Sequence, residues 1–483
     1  MSASLRGAQL ARLLGQWHVD APRRNTPDYA ALAGTIRGLL IDGRLPLGVR
    51  LPAERELATA LGISRTTVAA AYRRLRDSGH LASRRGAGSW TTMPGDAKVD
   101  NTGLWAPGTE PEMLDLATGA LPAPAELIQA AREAVEELPR YLDHPGYHPS
   151  GLADLRAAVA SRYAEQGLPT SPDQIMITNG VLHALDLACR LLVGAGQPAL
   201  VESPTYPNAL ATLAGRRARV LTFGLGATGW DSELLLETLR QSRPRVAYLA
   251  PEYQNPTGHL MPQALRERLP AVAHSSGTEL VVDESFVDLT LTGEAPPPPV
   301  ACFDRHARVL SVGGMSKPYW GGLRVGWVRA SPPQVQRLTA VRVGTDIAGP
   351  VLDQLVAARL LAQAAVVVPA RRRLVRERRD ALVGALRERL PEWRFRVPDG
   401  GLSLWVELDA PVSSALARAA EEYRLRLAPG PRFGVDGTLE RFLRLPFTLP
   451  VPELVDAVDR LAAARADLER PARRSWETPA LVA

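Results

Sequence analysis

The sequence predicts an α/β protein in two parts: a small, basic, mainly helical head and a large body built on a mostly parallel sheet. Three observations carry this expectation. At 483 residues the chain is longer than one hydrophobic core usually sustains. Its first 95 residues hold fourteen arginines, no lysine and six acids, a balance of +8, while the whole chain carries +6, so the remainder is near neutral. From Leu114 to Leu461, short apolar runs alternate with helical patterns, as in βαβ units.

Taken in order, residues 5–17 alternate at helical spacing before "APRRNTP" breaks the pattern. A helical period resumes from Tyr29 through Leu32, Ile36 and Leu40 and stops at "DGRLPLG". "AERELATALG" (53–62) and "SRTTVAAAYRRLRDSG" (64–79) are two further helices split by "GIS", with Ser64 placed as N-cap of the second. "HLASRRGAGSWTTM" (80–93) follows as two short strands around a basic turn. Helix, short turn, helix and basic hairpin make a winged helix-turn-helix over residues 1–93. Its second helix is the one that enters a major groove, which places Ser64, Arg65, Thr66 and Thr67 at base edges and phosphates. Arg73, Arg74 and Arg76 lie further along and cannot all face DNA. Arg84 and Arg85 stand at the wing, and the positive head as a whole suits double-stranded DNA.

Residues 51–89, "LPAERELATALGISRTTVAAAYRRLRDSGHLASRRGAGS", resemble the DNA-binding domain of the GntR family of bacterial regulators. Ala53 stands where that family usually has a capping Ser, and Trp90 replaces a usual small residue or Thr. The resemblance makes Arg55 and Arg65 the foremost candidates for DNA contact.

"TTMPGDAKVDNTGLWAPGTEPE" (91–112) is rich in turn formers without a sustained period, so residues 94–113 are expected to be a linker. The body is expected over 114–470, with strands at "QIMITNG", "PALVESPTY", "RVAYLAPE", "TELVVDES", "RVLSVGGMS" and "GLRVGWV", and a disordered tail over 471–483. The two cysteines, Cys189 and Cys302, give neither a disulfide framework nor a metal-ligand spacing, and no run reaches membrane-spanning length. A cytoplasmic protein without a structural metal is the expectation.

Of 57 basic residues only Lys98 and Lys317 are lysines. Lys317 follows the apolar run "RVLSVGGMS" and precedes "GGLRVG". An amine can condense with an aldehyde, which a guanidinium cannot do. Around it stand the other groups that pyridoxal phosphate (PLP) needs. Asp283, ending "ELVVD", suits the ring nitrogen at the C-terminal edge of a sheet. Gly180, Val181 and Leu182 open a helix whose N–H groups suit the phosphate, and Arg324 adds a cation. Asn255 in "NPTG" offers an amide to the phenolic oxygen, and Tyr206 in "SPTYP" a face for the ring. Singly, each has a plain structural alternative: a helix cap, a turn, a core aromatic.

As an ordered set, "TNGVLHAL", "PTY", "NPTG", "DESF", "SK" (Ser316 and Lys317) and "GLRVG" resemble the class I/II aminotransferases of PLP fold-type I, over roughly residues 114–465. That resemblance implies a large α/β/α domain, a Schiff base at Lys317, and an effector or substrate carboxylate held by Arg444 in "FLRLPFTLP". The departures are Phe286, where the family has a Tyr, Gly314, where it often has Ser or Thr, and Tyr147, one residue nearer its Gly than usual. A GntR-type head on such a body is similar to the MocR subfamily of regulators. It implies a PLP-dependent transcriptional regulator, usually a homodimer, that senses PLP or a small amino compound through an internal aldimine at Lys317. The alternative is a working aminotransferase with an autoregulatory or vestigial head.

Overall fold

The computed structural model describes residues 4–15, 17, 27–84, 88–94, 113–293 and 295–469. Arg85, most of the expected linker and the expected tail lie outside the described residues.

In the head, α1 (Gly7–Leu14), α2 (Asp28–Ile41), α3 (Glu54–Leu61) and α4 (Arg65–Asp77) are followed by an antiparallel hairpin, β1 (Leu81–Arg84) with β2 (Gly88–Thr91). Local chemistry sets these boundaries. Gly62, at φ +67°, ends α3 in the left-handed conformation that a glycine adopts without a Cβ penalty. Ser64 then caps α4, its hydroxyl accepting from the Thr67 N–H at 3.0 Å. The N-cap of α3 is Ala53, which supplies no side-chain acceptor, as its replacement of a serine implies. Leu32, Ile36, Leu40, Leu57, Val68 and Leu75 close the core between the helices.

The body runs β3 (Leu114–Leu116), α5 (Leu127–Glu137), α6 (Ala153–Glu165), β4 (Ile175–Thr178), α7 (Val181–Leu192), β5 (Pro198–Ser203), α8 (Pro207–Gly215), β6 (Arg219–Gly224), α9 (Ser232–Ser242), β7 (Val246–Leu249), α10 (Gln263–Ser276), β8 (Glu279–Asp283), β9 (Val309–Gly314), β10 (Gly326–Arg329) and α11 (Pro332–Val343). Then come α12 (Val351–Ala362), α13 (Ala364–Arg389), β11 (Arg394–Phe395), β12 (Ser403–Glu407), α14 (Ser413–Glu422), β13 (Leu425–Pro429), β14 (Phe442–Pro446) and α15 (Val451–Glu469). A seven-stranded sheet has the order β4-β10-β9-β8-β7-β5-β6, with β10 antiparallel to both neighbours and the other pairs parallel.

Alternate residues of these strands enter two separate cores. Ile177, Leu200, Leu249, Val282 and Val309 pack on one face, and Met176, Val201, Tyr248, Val281 and Leu310 on the other. Burial on both faces is what near-continuous apolar strands require, and it accounts for the uninterrupted runs in the sequence. A second, five-stranded sheet of order β11-β12-β14-β13-β3 packs its core against α13, α14 and α15. Its strands and β6 are absent from the runs singled out by sequence. Several are short or only half-buried, so they lack the uninterrupted apolar run that marks the strands of the larger sheet.

The head sits on the body through the turn after α2 and through α1. The Leu439 N–H donates to the Ile41 carbonyl at 2.5 Å, and Arg441 stands 3.6 Å from Asp42. Gln9 of α1 and Arg6, its N-cap residue, both reach Glu237 of α9. Among the described residues no single helix is long and apolar enough to cross a membrane.

Candidate functional site

The C-terminal ends of neighbouring strands deliver the chemistry. Beyond β5 comes Tyr206, beyond β7 comes Asn255, β8 ends on Asp283, and β9 leads to Ser316 and Lys317. Because β4 and β9 are both antiparallel to β10, β4 points the same way and brings Gly180 to that edge. Tyr206, Asn255, Lys317 and Arg444 line one cavity of about 280 Å³, together with Gly119, Arg432 and Phe433.

The Lys317 amine donates to the Gly119 carbonyl at 2.7 Å and lies 5.7 Å from the Phe286 ring centre. Burial lowers its pKa to about 8; Arg444 pushes the same way, while Asp283 opposes. Asp283 is held by three donors. Tyr248 Oη reaches one carboxylate oxygen at 2.6 Å, and the Ser285 N–H and hydroxyl reach the other at 2.9 and 2.5 Å. Phe286 brings no hydroxyl for a phenolic oxygen; the tyrosine that touches Asp283 is Tyr248 of β7.

Gly180 caps α7 at φ +85°, and a Cβ built there would stand 2.9 Å from an Arg324 guanidinium nitrogen. Arg324 is fixed by its bond to the Asn179 carbonyl at 3.0 Å. Val181 and Leu182 are the first two residues of α7, where N–H groups have no acceptor within the helix. The cradle thus joins a helix N-terminus, a residue without a side chain and a guanidinium, a donor set that fits a phosphate. Gly314 is explained by the same packing. A Cβ there would meet Val181 Cγ2 at 2.8 Å and the Val325 carbonyl at 3.2 Å, so β9 has no room for a hydroxyl side chain unless its neighbours shift. Ser316 is half-buried in the turn before Lys317.

Arg444, on β14, donates to Asn255 Oδ1 at 3.4 Å and to the Ala117 carbonyl, and it lies 4.9 Å over the Phe433 ring. Its Nε is buried with no hydrogen-bond partner, and burial lowers its pKa to about 10. A half-buried guanidinium in a cavity, its buried Nε without a partner, fits a carboxylate, although a two-nitrogen grip requires it to release a protein acceptor. The Asn255 carbonyl faces Arg444, which leaves its NH2 group as a donor. Amine, carboxylate, amide, aromatic face and phosphate cradle together fit PLP.

In the head, Arg55, Ser64, Arg65 and Thr66 are exposed on one face, and Thr67 is half-buried beside them. The Ser64 hydroxyl lies within 2.8 Å of both threonine hydroxyls, and Arg65 stands 3.5 Å from Glu54. Arg84 ends β1, opposite Gly88. Arg50, Arg55 and Arg65 line a shared hollow that extends to Gly88 and Ser89 of the wing. Sequence reasoning missed Arg50. Its only signal is a basic residue just ahead of "LPAERE", and its place against Gly88 appears only once the wing folds back. Gly119 and Phe433, which line the cavity, and Tyr248, which holds Asp283, were missed for the same reason: each acts through a fold contact rather than a motif; Ser285 sits inside "DESF", but its bond to Asp283 appears only in the structure.

Comparison with known proteins identifies the families of the two parts. Residues 111–461 match the family model "Aminotransferase class I and II", and residues 28–90 match "Bacterial regulatory proteins, gntR family". The chain is 35% identical to 2-aminoadipate transaminase of Thermus thermophilus over 72% of this chain and 88% of that one. It is 27% identical to the probable rhizopine catabolism regulatory protein MocR of Rhizobium meliloti, over 84% and 87% of the two chains. The crystal structure of LysN, the α-aminoadipate aminotransferase of Thermus thermophilus complexed with N-(5'-phosphopyridoxyl)-L-leucine, superposes with a TM-score of 0.68 at 33% identity. It covers 74% of this chain and 93% of that one. With a GntR-type head joined to this body, as in MocR and other helix-turn-helix regulators of the same architecture, the chain belongs to the class I and II aminotransferase family.

Proposed function

We propose that the chain is a PLP-binding, DNA-binding transcriptional regulator of the cytoplasm, in which the occupancy of the cavity at Lys317 sets the affinity of the head for its operator. The observation that carries this reading is the coexistence of an exposed recognition-helix start, Ser64–Thr66, with a cavity whose donor set fits PLP. PLP supplies an electrophilic carbonyl carbon and an electron-withdrawing ring. Lys317, with its lowered pKa, is the amine that holds it. Asp283 faces the ring nitrogen, Tyr206 the ring and Asn255 the phenolic oxygen. Gly180, Val181, Leu182 and Arg324 receive the phosphate, with Ser316 beside them. Arg444 selects effectors that bear a carboxylate. In the head, Arg55, Arg65, Thr66, Thr67, Arg84 and Arg85 contact DNA, with Ser64 fixing the helix start.

A homodimer is part of this reading. Ile128 and Val135 of α5, with Leu142 and Tyr147 just beyond, are each more than half exposed, an apolar group suited to cover by a second copy.

The test is a titration of the protein on DNA upstream of its own and the adjacent gene, at fixed salt, with and without PLP. Specific binding that changes with PLP, and loses that change in Lys317→Ala, supports the regulator. A second reading, a working aminotransferase, is favoured by the 35% identity to a transaminase. Turnover with a keto-acid acceptor on the order of 1–1000 per second, without PLP-sensitive DNA binding, establishes it instead.

A further inference from the structure

We propose that Glu202 and Gln254, which do not line the cavity, are positioning residues that lock the two loops carrying Tyr206 and Asn255 at a fixed separation. The inference rests on the reading of the cavity as a PLP site. Glu202 is the fifth residue of β5 and is fully buried. Its carboxylate accepts from Trp230 Nε1 at 2.9 Å, from Gln254 Nε2 at 3.0 Å and from the Ala250 N–H at 3.3 Å. Gln254, 1% exposed, directly precedes Asn255. Its NH2 group also donates to the Pro204 carbonyl at 2.7 Å, two residues before Tyr206. Its side-chain oxygen accepts from the Thr257 N–H at 3.1 Å and the Thr257 hydroxyl at 2.7 Å.

One amide therefore uses both donors and its acceptor to tie the Asn255 loop to the Tyr206 loop and to itself. A shorter or apolar side chain at 254 leaves the Pro204 and Glu202 oxygens without this donor. The acid at 202 has its own reason. Three N–H groups converge on it, and a carboxylate is the side chain that presents acceptors alone. An amide there would turn an NH2 group onto one of those donors. Burial raises the Glu202 pKa to about 7, and the donors pull the other way by favouring the charged form.

A role confined to loop stability would change the melting temperature and nothing at the cofactor. A positioning role changes two separable properties of bound PLP. The Asn255 amide favours the anionic phenolic oxygen, so its displacement raises the pKa of the bound chromophore. The Tyr206 face contributes to affinity.

The experiment uses the full-length protein, PLP as probe, absorbance titration for Kd, a pH titration of the bound chromophore, and thermal unfolding of the PLP-free form. In Gln254→Leu the expected result is a PLP Kd weaker by about tenfold, the scale of one buried hydrogen bond, and a chromophore pKa raised by about one unit. The double variant Glu202→Gln with Gln254→Glu remakes the 202–254 bond and keeps an acceptor for Thr257, but offers no donor to Pro204. It is expected to restore the chromophore pKa while Kd stays weak. A folded Gln254→Leu with wild-type Kd and chromophore pKa overturns the proposal, as does a double variant with no recovery of that pKa. If Gln254→Leu does not fold, Thr257→Val, which removes one donor to the same amide, is judged by the same two readouts. A wild-type protein that binds no PLP defeats the cofactor reading itself, a result distinct from unchanged binding in the variants.

Discussion

Raising the pH changes one group in the cavity more consequentially than any other: Lys317, whose pKa burial lowers from 10.5 to about 8. At pH 7.5 an ordinary lysine is about 0.1% neutral, whereas one with a pKa near 8 is neutral in about a quarter of molecules. Only the neutral amine attacks a carbonyl, so at this pH the share of Lys317 competent to take PLP is roughly 200-fold larger than it would be at the ordinary pKa. Below about pH 7 the rate rises about tenfold per unit, and above about 8.5 it levels off. Stopped-flow absorbance of PLP-free protein mixed with PLP measures this directly. A rate still climbing tenfold per unit beyond pH 9 refutes the reasoning, because it places the amine at its ordinary pKa. Stability carries a matching signature. The folded state binds this proton less tightly than the unfolded state, so the contribution of Lys317 makes stability rise with pH between about 8 and 10.5. Arg444 is the second cause of the lowering, so Arg444→Met moves the rate midpoint to higher pH.

Three further outcomes are expected. Arg65→Ala weakens binding to operator DNA by about 1–3 kcal/mol and flattens the dependence of log affinity on log salt, as followed by fluorescence anisotropy; its exposed pairing with Glu54 makes the loss of folding stability small. Gly314→Ser lowers stability by about 1–3 kcal/mol by thermal unfolding and weakens PLP binding, because its Cβ meets Val181 at 2.8 Å. Gly43→Ala loosens the head, since the residue has φ +65° and a Cβ would stand 2.9 Å from both Leu439 Cδ2 and Ser203 Oγ; faster proteolytic release of the head, at a cost of about 1–3 kcal/mol, is the readout.

What the sequence disclosed followed from how far apart the cooperating residues lie. The helix-turn-helix was legible because its cap, turn glycine and apolar period fall within a few residues, and Ser64 and Gly62 act where their positions implied. The strands of the seven-stranded sheet were legible where they are buried on both faces, as in β8 and β9. The five-stranded sheet was not, because a two-residue strand such as β11 and the half-buried β12 lack that pattern. In the cavity, residues that end a strand or follow one could be named in advance. Tyr248, which holds Asp283 from 35 positions away, and Gly119, which accepts from Lys317 across 198, could not. Gly314 had looked like a missing hydroxyl and is a packing requirement, a reading that depends on Val181 lying against it.

The seat of the head bears on how large any response of DNA binding can be. The turn after α2 touches two body segments that also serve the cavity. Gly43 lies against Ser203, three residues before Tyr206, and the Ile41 carbonyl accepts from Leu439, which packs with Phe433 beneath Arg444. Leu439 has φ +73°, a left-handed backbone that costs a leucine of order 1 kcal/mol or more and persists only while its surroundings enforce it. A tenfold change in DNA affinity requires about 1.4 kcal/mol of difference between the occupied and empty states. One backbone hydrogen bond, or the release of one strained residue, is of that size. The contacts between head and cavity wall are few, and by this arithmetic few are enough.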